Sequence, residues 1–475
     1  MTLGSPESAR RPASVAGATS AAPHVAVIGG GLAGMAAALA CADAGAKVTL
    51  LEKRGRLGGL TWSFSHDGLV MDNGQHVFLR CCTAYRSFLD RLGVDGHVHL
   101  QPRLDIPVLA GDGREGGRCR LRRTPGLPAP LHLAPSLARY RHVPLGQRVR
   151  MLPAVLALRS VDPRAEAADE ETFGHWLAAH GQGERAVTAL WDLITLPTVN
   201  LPAAEASLAM AAKVFRTGLL ERSDAADLGW SDVPLGELHG DAAARALSDL
   251  GAEVRLRHAV AAVAPKADGI TVHLAAGEAI DADVVILAVP HDAVAALVPP
   301  GTVAHQDDLV DLGTSPIVNV SVVFDRTVTD DAVFAVIDSP LQWVFDHTGA
   351  SGTDRGQVLV VSLSAATAEL GRPSAELVSE VVGELRRLLP PAAHAEVVDA
   401  VVSRQRAATF RAAPRSGRLR PGPATSHPRL FLAGAWTDTG WPATMEGAVR
   451  SGTTAAAGAL GAAGVSVRAP EEVSA

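Results

Sequence analysis

Short apolar runs separated by glycine mark the beginning of the chain's patterned part. Residues 25–28 form one continuous apolar run, and an alanine-rich stretch extends from Leu32 to about Ala44. Gly45 then stands where helices commonly end, and a second, mainly apolar run at 48–51 lies within the predicted strand 47–52. Continuous apolar runs of this length are typical of strands buried on both faces. The pattern predicts a strand–helix–strand unit with a glycine-rich first turn.

Two later regions continue the same kind of strand pattern. The region 251–290 contains an alternating stretch at 269–274 and a buried run at 283–290, and a last short run lies at 430–434. We therefore expect one nucleotide-binding sheet assembled from three separated pieces of chain. The predicted fold class is α/β, with a Rossmann-like nucleotide-binding domain and an inserted α+β domain.

The predicted division of the chain follows from these runs. Residues 1–22 are rich in Ala, Ser, Pro and Arg without an apolar run, which predicts a disordered leader. The remaining predictions are a discontinuous nucleotide-binding domain at 23–99, 241–294 and 411–465, a substrate-binding domain at 100–240 and 295–410, and a flexible tail at 466–475.

Composition and charge narrow the class of function. The chain has 475 residues and a net charge of −7, which gives no domain-wide basic excess for nucleic acid. Its four cysteines fit neither a disulfide framework nor a zinc site, so we expect no metal and a cytoplasmic location. Because no run of about 18 apolar residues occurs, we expect no membrane-spanning segment.

The first chemical motif is a glycine pattern between the two predicted strands. Gly29, Gly31 and Gly34 satisfy G-x-G-x-x-G, and Glu52 follows at the end of the second strand, 18 residues after Gly34. The glycines allow a tight turn, close approach of a pyrophosphate, and close packing of helix on strand. A carboxylate at this offset can accept hydrogen bonds from ribose hydroxyls. The motif predicts a dinucleotide site.

A second motif separates FAD from NAD. Lys53 and Arg54 follow the carboxylate directly, and the pair Gly58 and Gly59 comes a few residues later. A glycine pair at this distance brings a second piece of backbone beside the pyrophosphate, an extension that NAD dehydrogenases do not need. We interpret it as a flavin-specific extension rather than an ordinary glycine loop.

Two further motifs lie at the ends of the predicted FAD domain. Near the C-terminus a strand ends at Gly434, and Pro442 favours a helix beginning near Ala443, whose amides at Thr444 and Met445 would stabilise negative charge on a reduced flavin. The polar string 72–76, Asp-Asn-Gly-Gln-His, follows an apolar strand and would bring backbone amides and a histidine beside the flavin.

Together these residues resemble the FAD-dependent amine-oxidase superfamily, which includes the carotenoid desaturases. The resemblance is specific at 24–76 and 430–452 and only architectural between them. It implies FAD as the cofactor, and it implies that the discontinuous nucleotide-binding domain is a Rossmann-like FAD-binding domain of the amine-oxidase and glutathione-reductase type with an inserted α+β substrate domain. It also implies the following cofactor-binding residues: Gly29, Gly31, Leu32, Ala33, Gly34, Glu52, Lys53, Arg54, Gly58, Gly59, Gly74, Gln75, Val260, Gly434, Ala435, Thr444 and Met445.

Within that superfamily, the strings 72–76, 430–436 and 442–452 look like those of the hydroxysqualene dehydroxylases of bacterial hopanoid pathways. This resemblance implies reductive removal of an allylic hydroxyl from hydroxysqualene to give squalene, with an unidentified electron donor and upstream squalene-pathway enzymes as partners. Two positions depart from the superfamily pattern. Ala435 stands where an acidic residue commonly binds the ribityl chain, a bond that water or Thr437 would have to replace, and Leu60 stands where an arginine is usual.

The candidate catalytic residues lie in the two terminal motifs. His76 is the candidate acid for the leaving hydroxyl, with Gln75 and Asp72 beside it in sequence. Trp436 and Trp441 are candidates for an aromatic wall that stabilises positive charge, although packing of the domain junction explains them equally well.

Three alternative functions and one segment stay open from the sequence. Related flavin motifs also serve carotenoid or phytoene desaturases, amine oxidases and non-redox flavin-dependent isomerases. The segment 124–161 combines a basic cluster with an apolar run, so it fits either peripheral contact with the inner face of a membrane or a core helix with arginines at its edge.

Overall fold

The computed structural model describes residues 22–111 and 117–465. The flexible tail predicted at 466–475 lies outside these residues, as does the predicted leader apart from residue 22. The described chain combines parallel and antiparallel sheets with fourteen α-helices, so the predicted α/β class is confirmed.

A five-stranded parallel sheet forms the first unit. Its strands come from three distant parts of the chain, as predicted, and lie in the spatial order Glu253–Leu256, Lys47–Glu52, His24–Ile28, Val284–Leu287 and Leu430–Leu432. In the middle strand Val25 pairs with Val48 on one side and with Val284 on the other.

Helices cover one face of this sheet and a small sheet covers the other. Leu32–Asp43 and Met445–Ala462 pack against each other so closely that a Cβ on Gly452 would lie 2.1 Å from the carbonyl oxygen of Ala33. The other face packs on an antiparallel sheet of strands Val260–Lys266, Gly269–Leu274 and Ala279–Ala282. Because both faces are covered, the central strands are continuously apolar.

A seven-stranded sheet organises the second unit. Its spatial order is Val397–Phe410, Thr314–Phe324, Gln357–Ser364, Trp343–Asp346, Val333–Ile337, Asp105–Ala110 and Arg118–Arg122. Helix Ser374–Leu388 packs on one face, and a layer of helices from 134–220 packs on the other.

The remaining α-helices are mostly short. They are Thr83–Arg91, Ala134–Ala138, Leu145–Ser160, Glu166–Glu170, Phe173–Ala179, Glu184–Ala186, Asp192–Val199, Leu208–Phe215, Ala242–Asp249, His291–Leu297 and Thr348–Ser351. Among the described residues, no helix combines the length and the apolar character that crossing a bilayer requires.

Two small sheets connect the units. Leu228–Ser231 pairs with both Val77–Leu79 and Val98–Leu100, so a segment assigned by prediction to the substrate domain shares a sheet with the nucleotide-binding part. The hairpin of Ser63–His66 and Leu69–Asp72 leads directly into the string 72–76. The string therefore lies where the two units meet.

Helix Leu145–Ser160 has two apolar faces. Met151, Ala154 and Leu158 are buried against the neighbouring helices. The opposite face exposes Leu145, Val149, Leu152 and Leu156, between 49% and 69% of each side chain. Packing in the core therefore explains only the inner face of this helix.

Candidate functional site

The first glycine turn is shaped by backbone contacts that admit no side chain. Gly29 has φ +110°, and a Cβ there would lie 2.3 Å from the carbonyl oxygen of Ala288. A Cβ on Gly34 would lie 1.8 Å from the carbonyl oxygen of Gly29. At Gly31, however, a Cβ would meet only the Cα of Gly59, at 3.7 Å. Gly29 and Gly34 are thus required by the fold, whereas Gly31 faces space.

The second glycine loop lies directly against the first. The amide of Gly58 donates to the carbonyl of Gly30 at 2.8 Å, and Gly31 and Gly58 form an isolated bridge. Gly59 has φ +60°, and a Cβ there would lie 2.8 Å from the Cα of Gly31. The two loops make a backbone cradle without side chains, which suits the close approach of a pyrophosphate.

The helix that follows the turn points its N-terminus into this cradle. Gly31 is its N-cap residue and offers no side-chain cap, and its first turn has no acidic residue. Leu32 and Ala33 are buried, so they contribute amides rather than side chains. Free amides and the helix dipole together favour an anion here.

Glu52 is held by backbone amides at the end of the second strand. Its Oε2 accepts from the amide of Gly30, and its Oε1 accepts from the amide of Arg54, both at 2.7 Å. Each carboxylate oxygen keeps a further lone pair for a ribose hydroxyl. The side chains of Lys53 and Arg54 are exposed, so Arg54 contributes mainly its amide.

Val260 lies near Glu52, because the chain two residues before it is bound to Glu52. The amide of His258 donates to the carbonyl of Glu52 at 2.9 Å, and Val260, half-buried, begins a strand two residues later. Leu60, where the superfamily commonly has arginine, exposes 43% of its surface.

The C-terminal motif brings a second helix N-terminus to the site. Gly434 has φ +142°, and its amide donates to Ser451 Oγ at 2.8 Å. The helix was predicted to begin near Ala443 with Pro442 in its first turn, but Pro442 precedes the helix and the Thr444 hydroxyl caps it by accepting from the amide of Gly447, at 3.1 Å. The helix therefore begins at Met445.

Arg420 holds the backbone of this motif in place, and it was not among the residues predicted from the sequence. The guanidinium is 5% exposed and donates to four carbonyl oxygens, those of Ala435, Trp436, Thr437 and Trp441, at 2.5 to 3.3 Å. Burial lowers the pKa of Arg420 to about 10. No local pattern distinguishes this arginine from its neighbours in the chain. Thr437 donates its hydroxyl to the carbonyl of Gly434 at 2.9 Å and is 3% exposed.

The string 72–76 is tied to both units. Asp72 accepts from Ser63 Oγ at 2.5 Å and from the amide of Leu235 at 3.0 Å, so its carboxylate holds neighbouring backbone in place. Asn73 reaches the far edge of the large sheet, where its side-chain oxygen accepts from Gln405 at 2.5 Å and its carbonyl accepts from Ser403 at 2.8 Å.

His76 has a defined tautomer. Its Nδ1 lies 2.8 Å from the carbonyl oxygen of Gly74, and a carbonyl only accepts, so Nδ1 carries the proton. Burial lowers the pKa of His76. The neutral ring therefore presents a lone pair at Nε2, and Nε2 can donate only when the ring is charged.

A second buried histidine lies close to His76. His239 donates from Nδ1 to the carbonyl of Leu235 at 3.0 Å, and its Nε2 accepts from the Tyr85 hydroxyl at 2.7 Å. Burial, and next the nearby charge of His76, lower the pKa of His239 to about 3. The sequence analysis did not single out His239, whose contact with Tyr85 spans 154 residues.

Unpartnered polar atoms surround the string as well. Gln75 Oε1 and Asn319 Nδ2 are buried without a hydrogen-bond partner among the described residues. Asn319 lies so near that a Cβ on Gly74 would come within 2.8 Å of its Nδ2. Such orphaned atoms are expected where a polar ligand belongs.

The two tryptophans differ in surroundings. Trp436 is 5% exposed, donates from Nε1 to the carbonyl of Val289 at 2.9 Å, and packs in the sheet's apolar cluster. Trp441 is half-buried, with Lys213 Nζ at 4.7 Å and Arg450 Cζ at 5.2 Å from its ring centre. Of the pair, Trp441 is the better candidate for a pocket wall.

These features fit an extended dinucleotide. A backbone cradle and a helix N-terminus suit a pyrophosphate, Glu52 suits a ribose, and the Thr444-capped helix with the orphaned Gln75 suits a polar ring system beyond it.

Comparison with known proteins agrees with this assignment. The model of the flavin containing amine oxidoreductases matches residues 32–460. Hydroxysqualene dehydroxylase from Rhodopseudomonas palustris is 30% identical over 440 residues, 90% of this chain and 96% of that protein. Zeta-carotene desaturase from Zea mays is 24% identical over 486 residues, 92% of this chain and 83% of that protein. A putrescine oxidase double mutant of known structure superposes with a TM-score of 0.72 at 21% identity, over 92% of this chain and 99% of that one, and so shares the fold.

Proposed function

The chain belongs to the flavin containing amine oxidoreductases, and we propose that it is the member that converts hydroxysqualene to squalene by reductive dehydroxylation. The enzyme is an FAD-dependent oxidoreductase. The observation that carries the proposal is the near full-length likeness to a hydroxysqualene dehydroxylase, at higher identity than the likeness to the desaturase.

The reaction replaces a carbon–oxygen bond by a carbon–hydrogen bond. Reduced FAD, held by the backbone cradle and Glu52, would provide the hydride chemistry that the carbinol carbon requires. The hydroxyl group takes up a proton and leaves as water, so two electrons and two protons are consumed for each squalene formed. The protein must therefore hold a proton near the hydroxyl and keep water from recapturing the carbon.

His76 is our candidate for the proton donor. With Nδ1 committed to Gly74, the transferable proton of the charged ring is on Nε2. Because burial lowers the pKa of His76, the charged ring is a strong acid and gives up its proton readily. Gln75 and Asn319 would position the string and offer polar atoms to the flavin or the substrate.

The direct test is a single-turnover reaction without oxygen. Photoreduced holoprotein is mixed with hydroxysqualene in detergent, and flavin absorbance and squalene are followed together. We expect reoxidation with one squalene per flavin. Squalene formation without flavin reoxidation, or no product at all, would contradict the proposal.

A carotenoid-type desaturase is the second candidate, because a zeta-carotene desaturase matches most of the chain. If the chain is a desaturase, phytoene added to the oxidised holoprotein would reduce its flavin. We expect neither phytoene-type polyenes nor amines to lower the absorbance of the oxidised flavin. Catalysis that needs reduced FAD without net reduction of substrate would instead indicate an isomerase.

Delivery of so apolar a substrate is part of the proposal. We infer peripheral contact of the segment 124–161 with the inner face of the membrane, with the body of the protein in the cytoplasm and upstream squalene-pathway enzymes as donors of substrate. The exposed apolar face of Leu145–Ser160 supports this contact.

A further inference from the structure

An arginine-lined cleft adjoins the exposed face of helix Leu145–Ser160. The cleft has a volume of about 920 Å³. Strands of the large sheet and the chain that follows them supply most of its wall, and the helix itself supplies one residue. We call this cavity the arginine cleft. The arginines that line it are Arg103, Arg118, Arg120, Arg122, Arg123, Arg139, Arg141 and Arg148.

Positive charge in the cleft exceeds the carboxylates that pair with it. Arg118 pairs with Asp331, Arg120 and Arg122 share Asp105, and Arg123 pairs with Asp227, at 2.6 to 3.3 Å. The other four arginines have no carboxylate partner in the part of the chain that the structure describes. Eight guanidinium groups thus face three carboxylates, in a protein whose overall charge is −7.

One of these arginines has an unmet donor. Arg148 Nε is buried without a hydrogen-bond partner among residues 22–111 and 117–465, although another nitrogen of the same side chain donates to the carbonyl of Ala138. Arginine binds phosphate oxygens through two parallel hydrogen bonds, and a partner of that chemistry would satisfy the free donor.

The apolar stripe lies on the same helix as Arg148. Leu145, Val149, Leu152 and Leu156 recur at intervals of three and four residues and so share one face. Of the nine exposed large apolar residues among those described, five lie between Leu131 and Leu156. A stripe flanked by arginines is the pattern of a helix that lies in the lipid interface.

We propose that the arginine cleft binds the phosphate groups of anionic membrane lipids while the apolar stripe enters the acyl region. The inference deepens the membrane contact of the proposed function and rests on it. It names the partner, an anionic phospholipid bilayer, and it orients the protein with this face towards the membrane. Charge complementarity selects the anionic lipid, and the neighbouring stripe selects a bilayer over a free phosphate.

Vesicle flotation of the holoprotein tests the inference. Vesicles of phosphatidylcholine alone are compared with vesicles containing about one-quarter phosphatidylglycerol, at low and high salt. We expect strong binding only to the anionic vesicles, weakened by salt. Equal binding to both vesicles, or to neither, would overturn the inference. Thermal stabilisation by inorganic phosphate without vesicle binding would also overturn it, in favour of a small phosphate ligand.

Paired variants locate the contact. Arg139→Ser with Arg141→Ser should lower the partition coefficient onto anionic vesicles about 25-fold. Val149→Ser with Leu152→Ser should lower it at least about tenfold. The matched control, Val398→Ser with Arg406→Ser, changes exposed residues on Val397–Phe410, the opposite edge of the sheet from Arg118–Arg122, and should bind as wild type.

Two readouts keep the outcomes separate. The flavin spectrum and melting temperature report whether each variant is folded. If a variant is not folded, the binding of wild-type protein to the two vesicle types still tests the lipid site. Turnover of hydroxysqualene in detergent tests the reaction without a membrane. Turnover without vesicle binding would overturn the lipid site alone, whereas vesicle binding without turnover would overturn only the reaction.

Discussion

The two ends of the flavin site are built from different materials. At the pyrophosphate end, Gly29 to Gly34 and the pair Gly58 and Gly59 make a cradle of backbone from residues close together in sequence. At the ring end, the string 72–76 depends on side chains of Asn319, Ser403 and Gln405. The first end is specified locally, and its backbone leaves no room for a side chain at Gly29, Gly34 or Gly59. The second is specified by tertiary contacts and can be adjusted for a particular substrate.

The largest expected effect is at the pyrophosphate end. Gly34→Ala would put a Cβ 1.8 Å from the carbonyl oxygen of Gly29, a contact that backbone must move to relieve. We expect little folded protein and no bound flavin, measured by solubility and by absorbance. The control is Gly383→Ala, because Gly383 is exposed within helix Ser374–Leu388. This substitution should raise the free energy of unfolding by about 0.5–1 kcal/mol. A yellow, stable Gly34→Ala protein would contradict the rigid cradle.

At the ring end, His76→Ala should leave FAD bound and lower single-turnover rate by about 10²–10⁴-fold. The pKa of His76 is lowered, so the charged acid is lost as pH rises through a value below 6.5, and the wild-type rate should fall with increasing pH in that range. The variant should lack this dependence. His175→Ala, at a side chain 77% exposed, is the control. Full turnover by His76→Ala would remove this residue from the mechanism.

A smaller effect separates cofactor binding from folding. Gly31→Ala adds a Cβ that meets only Gly59 Cα, at 3.7 Å, and the φ of −80° suits alanine. The apoprotein should therefore melt near the wild-type temperature. FAD affinity, measured by titration, should fall about 100-fold, because the methyl group occupies the space for the pyrophosphate. Unchanged affinity would show that the pyrophosphate lies elsewhere.

The smallest effect should come from the tertiary support of the ring end. Gln405→Leu removes the donor to Asn73 Oδ1, 2.5 Å away. We expect about a tenfold loss of turnover with FAD affinity near wild type, since leaving an acceptor unpaired costs about 1–3 kcal/mol and loosens the string. Arg406→Gln, the exposed next residue, is the control. Weakened FAD affinity with wild-type turnover at saturating FAD would reverse our view of the two ends.

The same contrast explains what the sequence could predict. The βαβ unit, Glu52 and the three-piece sheet follow from local patterns, because a strand, a glycine turn and a helix start are each encoded within a few residues. The helix start near Ala443 was misplaced because Pro442 was read as a first-turn residue, whereas the Thr444 hydroxyl provides the cap.

The supporting residues could not be found in this way. Arg420, Asn319 and His239 carry no local pattern, and each acts on residues that the fold brings to it from elsewhere in the chain. A buried arginine that donates to four backbone carbonyl oxygens is, in sequence, one residue among 43 Lys and Arg. Roles in cofactor binding and catalysis, and the division into domains, stay predictions for the experiments above.

The three-piece sheet has a consequence for how the protein is made. Strand Leu430–Leu432 and helix Met445–Ala462 complete the five-stranded sheet and its helical layer, and both are synthesised after the other four strands of that sheet. More than 400 residues must therefore be synthesised after His24–Ile28 before the sheet that contains this strand is complete. A chain that ends before Leu430 would lack this strand and helix, which form one wall of the proposed flavin site, so we expect it to bind no FAD and to remain colourless.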